Sequence, residues 1–297
     1  YFELSISCDA LIYLDDRDFD NRLDLYSSFR NRGPCMTHWF RKNLIKIYMV
    51  LGFLYLFVPI IYTFIFSFND YIKSNLVWRG FTLNNWKQPC GVLDICPALG
   101  NSIKIGLLAT FVATILGTMI AFALGRYAFT GRGTVNTLIF LPMASPELVL
   151  GASLLTIFLN LGFNLGFWTI VIAHVMFCIS FVVVTVKARI ASLDPRLEQA
   201  AMDLYADERE TFRRITLPLV APGIAGAALL SFSLSFDDFI ITNFNSGTTV
   251  TFPLYVYTHA ERGLPAQANV IGFSMFFLAL VIVVLGQFVQ SKRKLVK

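Results

Sequence analysis

Charge is scarce in this 297-residue chain, where Asp, Glu, Lys and Arg supply 14% of the residues against about 25% in soluble domains. Hydrophobic residues supply 56%, with 29 Phe and a mean hydropathy of +0.64. A chain this apolar belongs in a bilayer rather than in water. Histidine is scarcer still: His38, His174 and His259 are the only three. They are scattered rather than spaced as ligands, so a metal site is not expected. No second histidine completes a Ser/His/Asp arrangement, and His174, inside an apolar run, reads as structural. The phosphate cradle G-x-x-x-x-G-K-[ST] is missing, so the chain has no nest for an ATP phosphate. Nor is there a basic, aromatic-interleaved soluble segment, so the net charge of +5 does not point to nucleic acid. We therefore read the chain as non-catalytic, with no cofactor of its own.

What is present is a series of apolar runs. Crossing a hydrocarbon core takes about 20 apolar residues. Six runs qualify: Leu44 to Phe66, Ile103 to Leu124, Val135 to Leu159, Phe167 to Lys187, Leu219 to Ile241 and Asn269 to Val289. The expected fold is all-α, a polytopic membrane protein of six transmembrane helices. Lysine and arginine collect on cytoplasmic loops. Of the 24, 19 fall in the N-terminal segment, the Arg126 to Arg132 loop, the Lys187 to Arg214 loop and the tail. That assigns both termini to the cytoplasm.

Residues 1–35 are charged, lack periodicity and do not form a signal peptide. The run beginning at Met36 reads as a short cytoplasmic start. This predicts a transmembrane domain over 36–297, preceded either by translated upstream sequence or appended residues, or by a genuine extension. Cys8 and Cys35 lie in that N-terminal stretch, and Cys178 lies inside a span as a small hydrophobe. Cys90 and Cys96 share an outer loop in KQPCGVLDICPAL, in an oxidising compartment. They are either disulfide-bonded or two free thiols, because spacing alone does not set the geometry.

Between the fourth and fifth runs stands a polar island, Asp194 to Pro218: DPRLEQAAMDLYADERETFRRITLP. Asp194-Pro195 is a helix-start signal. Leu197, Ala200, Ala201, Leu204 and Tyr205 then share one helical face. A second short helix is expected from Asp207, with Glu210 in a capping-box relation, ended by Leu217-Pro218. The pair is either a knob that inserts into a groove on another protein or a solvated linker on the membrane surface.

Gln199-Ala200-Ala201-Met202-Asp203-Leu204-Tyr205-Ala206, with Ile215-Thr216-Leu217-Pro218 behind it, resembles the cytoplasmic EAA loop of binding-protein-dependent ABC importer permeases. These have the type I, MetI-like fold. PLVAPGIAGAALLSFSLSFDDFIITNF and TFPLYVYTHAERGLPAQANVIG are similar to the spermidine/putrescine permeases, particularly the second of the two in those systems. LPMASPELVLG, GRYAF and FTLNNW extend the resemblance over residues 40–290.

The resemblance implies a permease in the bacterial cytoplasmic membrane that imports polyamines. Its partners would be a second permease, a dimer of ABC ATPase subunits holding ATP and Mg, an extracytoplasmic binding protein, and surrounding lipid. Gln199, Ala200, Ala201, Asp203, Leu204, Tyr205, Leu217 and Pro218 would form the contact that couples ATPase closure to the spans. Two residues depart from the family pattern: Gln199 stands where Glu is usual, directly after Glu198, and Tyr205 stands where Gly is usual. A glycine there would let the bend take positive φ, which costs an L-residue about 1 kcal/mol or more. Either the bend differs here, or the coupling is weak or lost.

Ionisable residues inside spans are expensive and tend to line pathways or pair with one another. Glu147, Asp237 and Asp238 would offset the desolvation of a polycationic amine, with Phe236 and Phe239 adding cation–π contacts. Asp237 and Asp238 point about 100° apart on a helix, so at most one faces a pore directly. The alternative is that they cap a helix or bridge to a partner permease. Other solutes compatible with the machine are an opine-like amine, thiamine or ferric ion. A scaffold or stand-alone carrier is the reading outside the class.

Overall fold

The computed structural model describes residues 36–70, 77–260 and 263–295, with side chains between 43 and 286 in those stretches. The readings made for residues 1–35, including Cys8 and Cys35, lie outside them. Packing divides the chain between Tyr62 and Thr63. Most of helix α1 (Met36–Phe66) forms the first unit; its apolar stretch Asn43–Phe66 is 24 residues long. At 1.5 Å per residue that length crosses a bilayer core.

The second unit is built on three helices: α3 (Ile95–Arg126), α6 (Phe167–Ala191) and α9 (Leu217–Asp237). They pack against one another as a bundle. With no hydrophobic drive between helices in lipid, close approach depends on small residues. Helix α3 supplies Ala109, Ala113, Gly117 and Ala121, all buried. Within α3 the approach is closest at Gly117, where a Cβ would lie 2.7 Å from Val182 Cγ1 of α6. The shared core includes Phe177, Val182, Val186, Val220 and Ala227. Helix α6 is the central element, with 61% of its apolar window buried, against 28% for α3.

The expected third span is broken. It forms α4 (Arg132–Ala144) and α5 (Glu147–Asn160), bent by 106° at Ser145-Pro146. Pro146 cannot donate to the turn behind it and its ring excludes a continuing helix. Ser145 closes α4 by donating both its amide (2.9 Å) and its hydroxyl (2.8 Å) to the Leu141 carbonyl. Glu147 then enters the first turn of α5, where a carboxylate suits the helix dipole. Among the described residues, five helices are long and apolar enough to cross, and the bent pair makes a sixth crossing if counted as one. Six crossings put both ends on the side to which lysine and arginine assign them, the cytoplasm.

Between Thr63 and α3 the chain folds on itself around a short helix α2 (Asn84–Lys87). Asn85 donates to the carbonyls of Ser67 (3.1 Å) and Asn69 (2.9 Å), and Trp86 donates to the Ser67 hydroxyl (3.0 Å). Cys90 and Cys96 are joined by a disulfide, with Cα atoms 5.4 Å apart. After α9 come α10 (Ile240–Asn245), α11 (Phe252–Ala260) and the last long helix, α12 (Ala266–Leu295).

Candidate functional site

Two regions concentrate the sequence-predicted residues. The first is the cytoplasmic knob formed by α7 (Arg196–Asp203) and α8 (Glu208–Thr211). Asp194 Oδ1 accepts the Arg196 amide at 2.9 Å, starting α7 as its cap signal implied. Asp207 Oδ1 accepts the Glu210 amide at 2.6 Å and starts α8 in the same way. The bend between them is a Schellman closure. The Tyr205 amide donates to the Met202 carbonyl (3.0 Å) and the Ala206 amide to the Ala201 carbonyl (3.2 Å). Tyr205 occupies the left-handed position, φ 64. The bend that glycine would allow is thus retained, and tyrosine bears its strain.

The face expected of α7 is turned outward. Tyr205 is 100% exposed and Leu204 82%, with Leu197, Gln199, Ala200 and Asp203 also exposed and Ala201 half-buried. These side chains form an exposed apolar ledge on the knob. Leu217 and Pro218 are placed differently from expectation. They do not end α8, because the backbone continues through a π-helical turn, Phe212–Thr216, into α9. Pro218 falls at the start of α9, where its missing N–H costs least. The widened turn accommodates its ring, so α8, the π turn and α9 form one continuous rod, Glu208–Asp237.

The second region is the break between α9 and α10. Asp238 is extended (ψ 122) and ends α9. Its carboxylate caps the next helix, accepting the amides of Ile241 (3.3 Å) and Thr242 (2.8 Å). An open cavity of about 330 Å³ lies here, its wall including Glu147, Phe177, Asp237, Asp238 and Phe239. Glu147 and Asp237 are exposed, whereas Asp238 is buried at 9%. Phe239 stacks on Tyr257 of α11 with ring centroids 4.1 Å apart. Phe236 is not brought to the cavity: it stacks on Phe232 (5.9 Å), one residue and about 100° round α9 from Asp237.

His174 belongs to this region, a role the sequence reading missed. It is 1% exposed, with Nδ1 at 2.7 Å from Ser235 Oγ and Nε2 at 3.1 Å from Asp238 Oδ2 and 3.0 Å from Thr242 Oγ1. The signal was available: an ionisable side chain inside a span calls for a partner, and Asp238 with Thr242 is that partner. Cys178, one turn further along α6, is buried and directs its thiol to the Ser231 carbonyl at 3.5 Å. Among the described residues no group of three or more His, Cys, Asp or Glu is placed to hold a metal ion.

The family model "Binding-protein-dependent transport system inner membrane component" matches residues 113–295. The chain is 36% identical over 258 residues to "Spermidine/putrescine transport system permease protein PotC" of Haemophilus influenzae, covering 86% of this chain and 99% of that one. It is 35% identical over 232 residues to "Putrescine transport system permease protein PotI" of Escherichia coli K12, covering 75% and 82%. Among solved structures, a bacterial ABC transporter that imports the acidic polysaccharide alginate superposes with a TM-score of 0.59 at 17% identity, covering 86% of this chain and 98% of that one. The inward-facing MetNI methionine ABC transporter gives 0.52 at 16%, covering 67% and 97%. These last two show the fold alone. The chain belongs to the inner-membrane components of binding-protein-dependent transport systems. It is a multi-pass permease subunit of an ABC importer.

Proposed function

We propose that the solute is a polyamine, spermidine or putrescine, and that it passes the α9–α10 break. The observation carrying this reading is the cavity whose exposed carboxylates are Glu147 and Asp237. A diamine or triamine needs negative groups to replace its lost hydration, and two carboxylates with the Phe239 ring beside them supply that chemistry. Relatives named for spermidine and putrescine support the same solute. The driving force comes from partners: two ATPase subunits binding ATP and Mg, which grip the ledge of Ala200, Ala201, Leu204 and Tyr205. A second permease completes the path, and an extracytoplasmic binding protein delivers the amine. The exposed apolar faces of α3 and α12 are left for that second permease and for lipid.

The test is uptake of labelled spermidine and putrescine into vesicles holding this chain with the ATPase, permease and binding protein encoded beside it. Saturable uptake requiring ATP and binding protein is expected, reduced about tenfold or more by Asp237→Asn. Stimulated ATP hydrolysis without amine uptake would discard the polyamine.

A further inference from the structure

The Asp238 carboxylate is held through both of its oxygens, most heavily through Oδ2. Its Oδ1 accepts from the Ile241 amide, and its Oδ2 accepts from the Thr242 amide, the Thr242 hydroxyl (3.0 Å) and His174 Nε2. One arrangement of hydrogens satisfies the whole network. The Thr242 hydroxyl donates to Asp238, so Thr242 Oγ1 accepts from His174 Nε2–H, which Asp238 shares. Ser235 Oγ–H donates to His174 Nδ1. Three elements are thereby tied at one point: α6 through His174, α9 through Ser235, and α10 through Thr242. The tie sits where the backbone between α9 and α10 changes direction. Phe177, one turn along α6 from His174, and Asp237, the residue before Asp238, both face the cavity.

Resting on the permease reading above, we propose that His174 is a positioning residue of the translocation path. It locks Asp238 into the α9–α10 junction, so that Asp237 and Glu147, and not Asp238, offer free carboxylates to a cationic solute. A buried carboxylate that loses a hydrogen-bond donor must find another or turn toward water. The open side of this junction is the cavity. Without the imidazole, Asp238 swings there and sets a third negative charge beside Asp237, holding a polycation in the path and slowing its release.

Glutamine and asparagine separate the atoms involved. The amide nitrogen of H174Q reaches the place of Nε2 and keeps the bond to Asp238; that of H174N falls near Nδ1 and does not. The complete transporter, reconstituted in vesicles, is assayed for putrescine uptake and for ATP hydrolysis stimulated by binding protein. H174Q is expected to transport near the unaltered rate. H174N should lose about tenfold in kcat with no rise in KM, the size of one lost hydrogen bond to a charged group. In a D238N background, which removes the charge to be held, H174N should add no further loss. Equal rates for H174Q and H174N, or additive losses in H174N/D238N, would overturn the proposal.

Failure of the polyamine assignment reads differently: the unaltered chain would hydrolyse ATP with binding protein yet take up no amine. The positioning role is then read without solute, from labelling of D237C by a cationic methanethiosulfonate in a C8S/C35S background. His174→Asn should change that labelling rate about tenfold and H174Q should not; identical rates in all three would refute it.

Discussion

Arg126, the last residue of α3, donates to Glu198 on α7 of the cytoplasmic knob. The same Glu198 oxygen accepts the Thr216 hydroxyl at 2.6 Å. Glu198 therefore points inward, and Gln199, at the position where the family usually has Glu, is left on the exposed side. Just above, Phe122 of α3 meets Phe212 of the π turn edge-on at 5.1 Å. Two contacts one turn apart thus fasten the inner end of α3 to the element that the ATPase would move.

A partly exposed ion pair stabilises a fold by about 1 kcal/mol or less. Breaking this one should accordingly leave the protein folded and loosen its coupling. R126E and E198R are each expected to keep normal expression and thermal stability while transporting fewer solute molecules per ATP. The exchanged pair R126E/E198R should recover most of that ratio. Measuring uptake and ATP hydrolysis on the same vesicles checks it; a ratio unchanged in the single variants would refute the transmission role.

Tyr205 combines a strained backbone with a fully exposed ring, and two substitutions part these effects. Tyr205→Gly removes a left-handed penalty of about 1 kcal/mol, partly offset by the freedom glycine gains when unfolded. Exchange of the bonded amides at 205 and 206 should slow by up to about fivefold. Tyr205→Ala keeps the penalty and loses the ring, so exchange stays put. Both variants should hold the ATPase less firmly if the ring lies in its groove, as measured by co-purification. Unchanged binding in both would assign tyrosine no contact.

Much of this architecture is legible in the order of residues. The apolar runs locate the long helices because a bilayer demands length, and Asp194 and Asp207 mark the knob because free amides need an acceptor. The break at Pro146 was visible as a residue but not as a 106° bend. A run such as Val135 to Leu159 is long enough to cross straight, and only tertiary packing chooses the bend. Leu217-Pro218 misled for a related reason: proline ends a helix unless the preceding turn widens, and a π turn has no signature in a single sequence. Phe236 and His174 show the remaining limit. Which way Phe236 faces is decided by the rotation of α9, and the partner of His174, Asp238, stands 64 residues away along the chain.

The glycines of the bundle give a test of packing. Gly117 faces Val182 with no room for a Cβ, whereas a Cβ at Gly226 in α9 would meet nothing within 4 Å. Gly117→Val should destabilise by roughly 1–3 kcal/mol through overpacking. Gly226→Ala should be neutral or stabilising by up to about 1 kcal/mol, from helix propensity. Thermal unfolding of the detergent-solubilised complex separates them. Equal melting temperatures would mean that α3 and α6 do not approach as closely as described.

The disulfide between Cys90 and Cys96 closes a small loop onto the first turn of α3, and Ile95 and Ala98 beside it are fully buried against α11 and α12 residues such as Tyr255 and Ile271. Closing so short a loop removes chain entropy worth about 2 kcal/mol from the unfolded state. Its loss should be local, fraying the outer end of α3 without unfolding the bundle, because the principal core lies further along α3, at Ala113 and Ala121. C90S/C96S is therefore expected to insert and assemble normally, yet to become sensitive to protease added from the outer face. In the unaltered chain both thiols should resist alkylation until a reductant is added. Labelling without reductant would show that the loop is held by its packing alone, and protease resistance in the double variant would show that the bond contributes nothing to it.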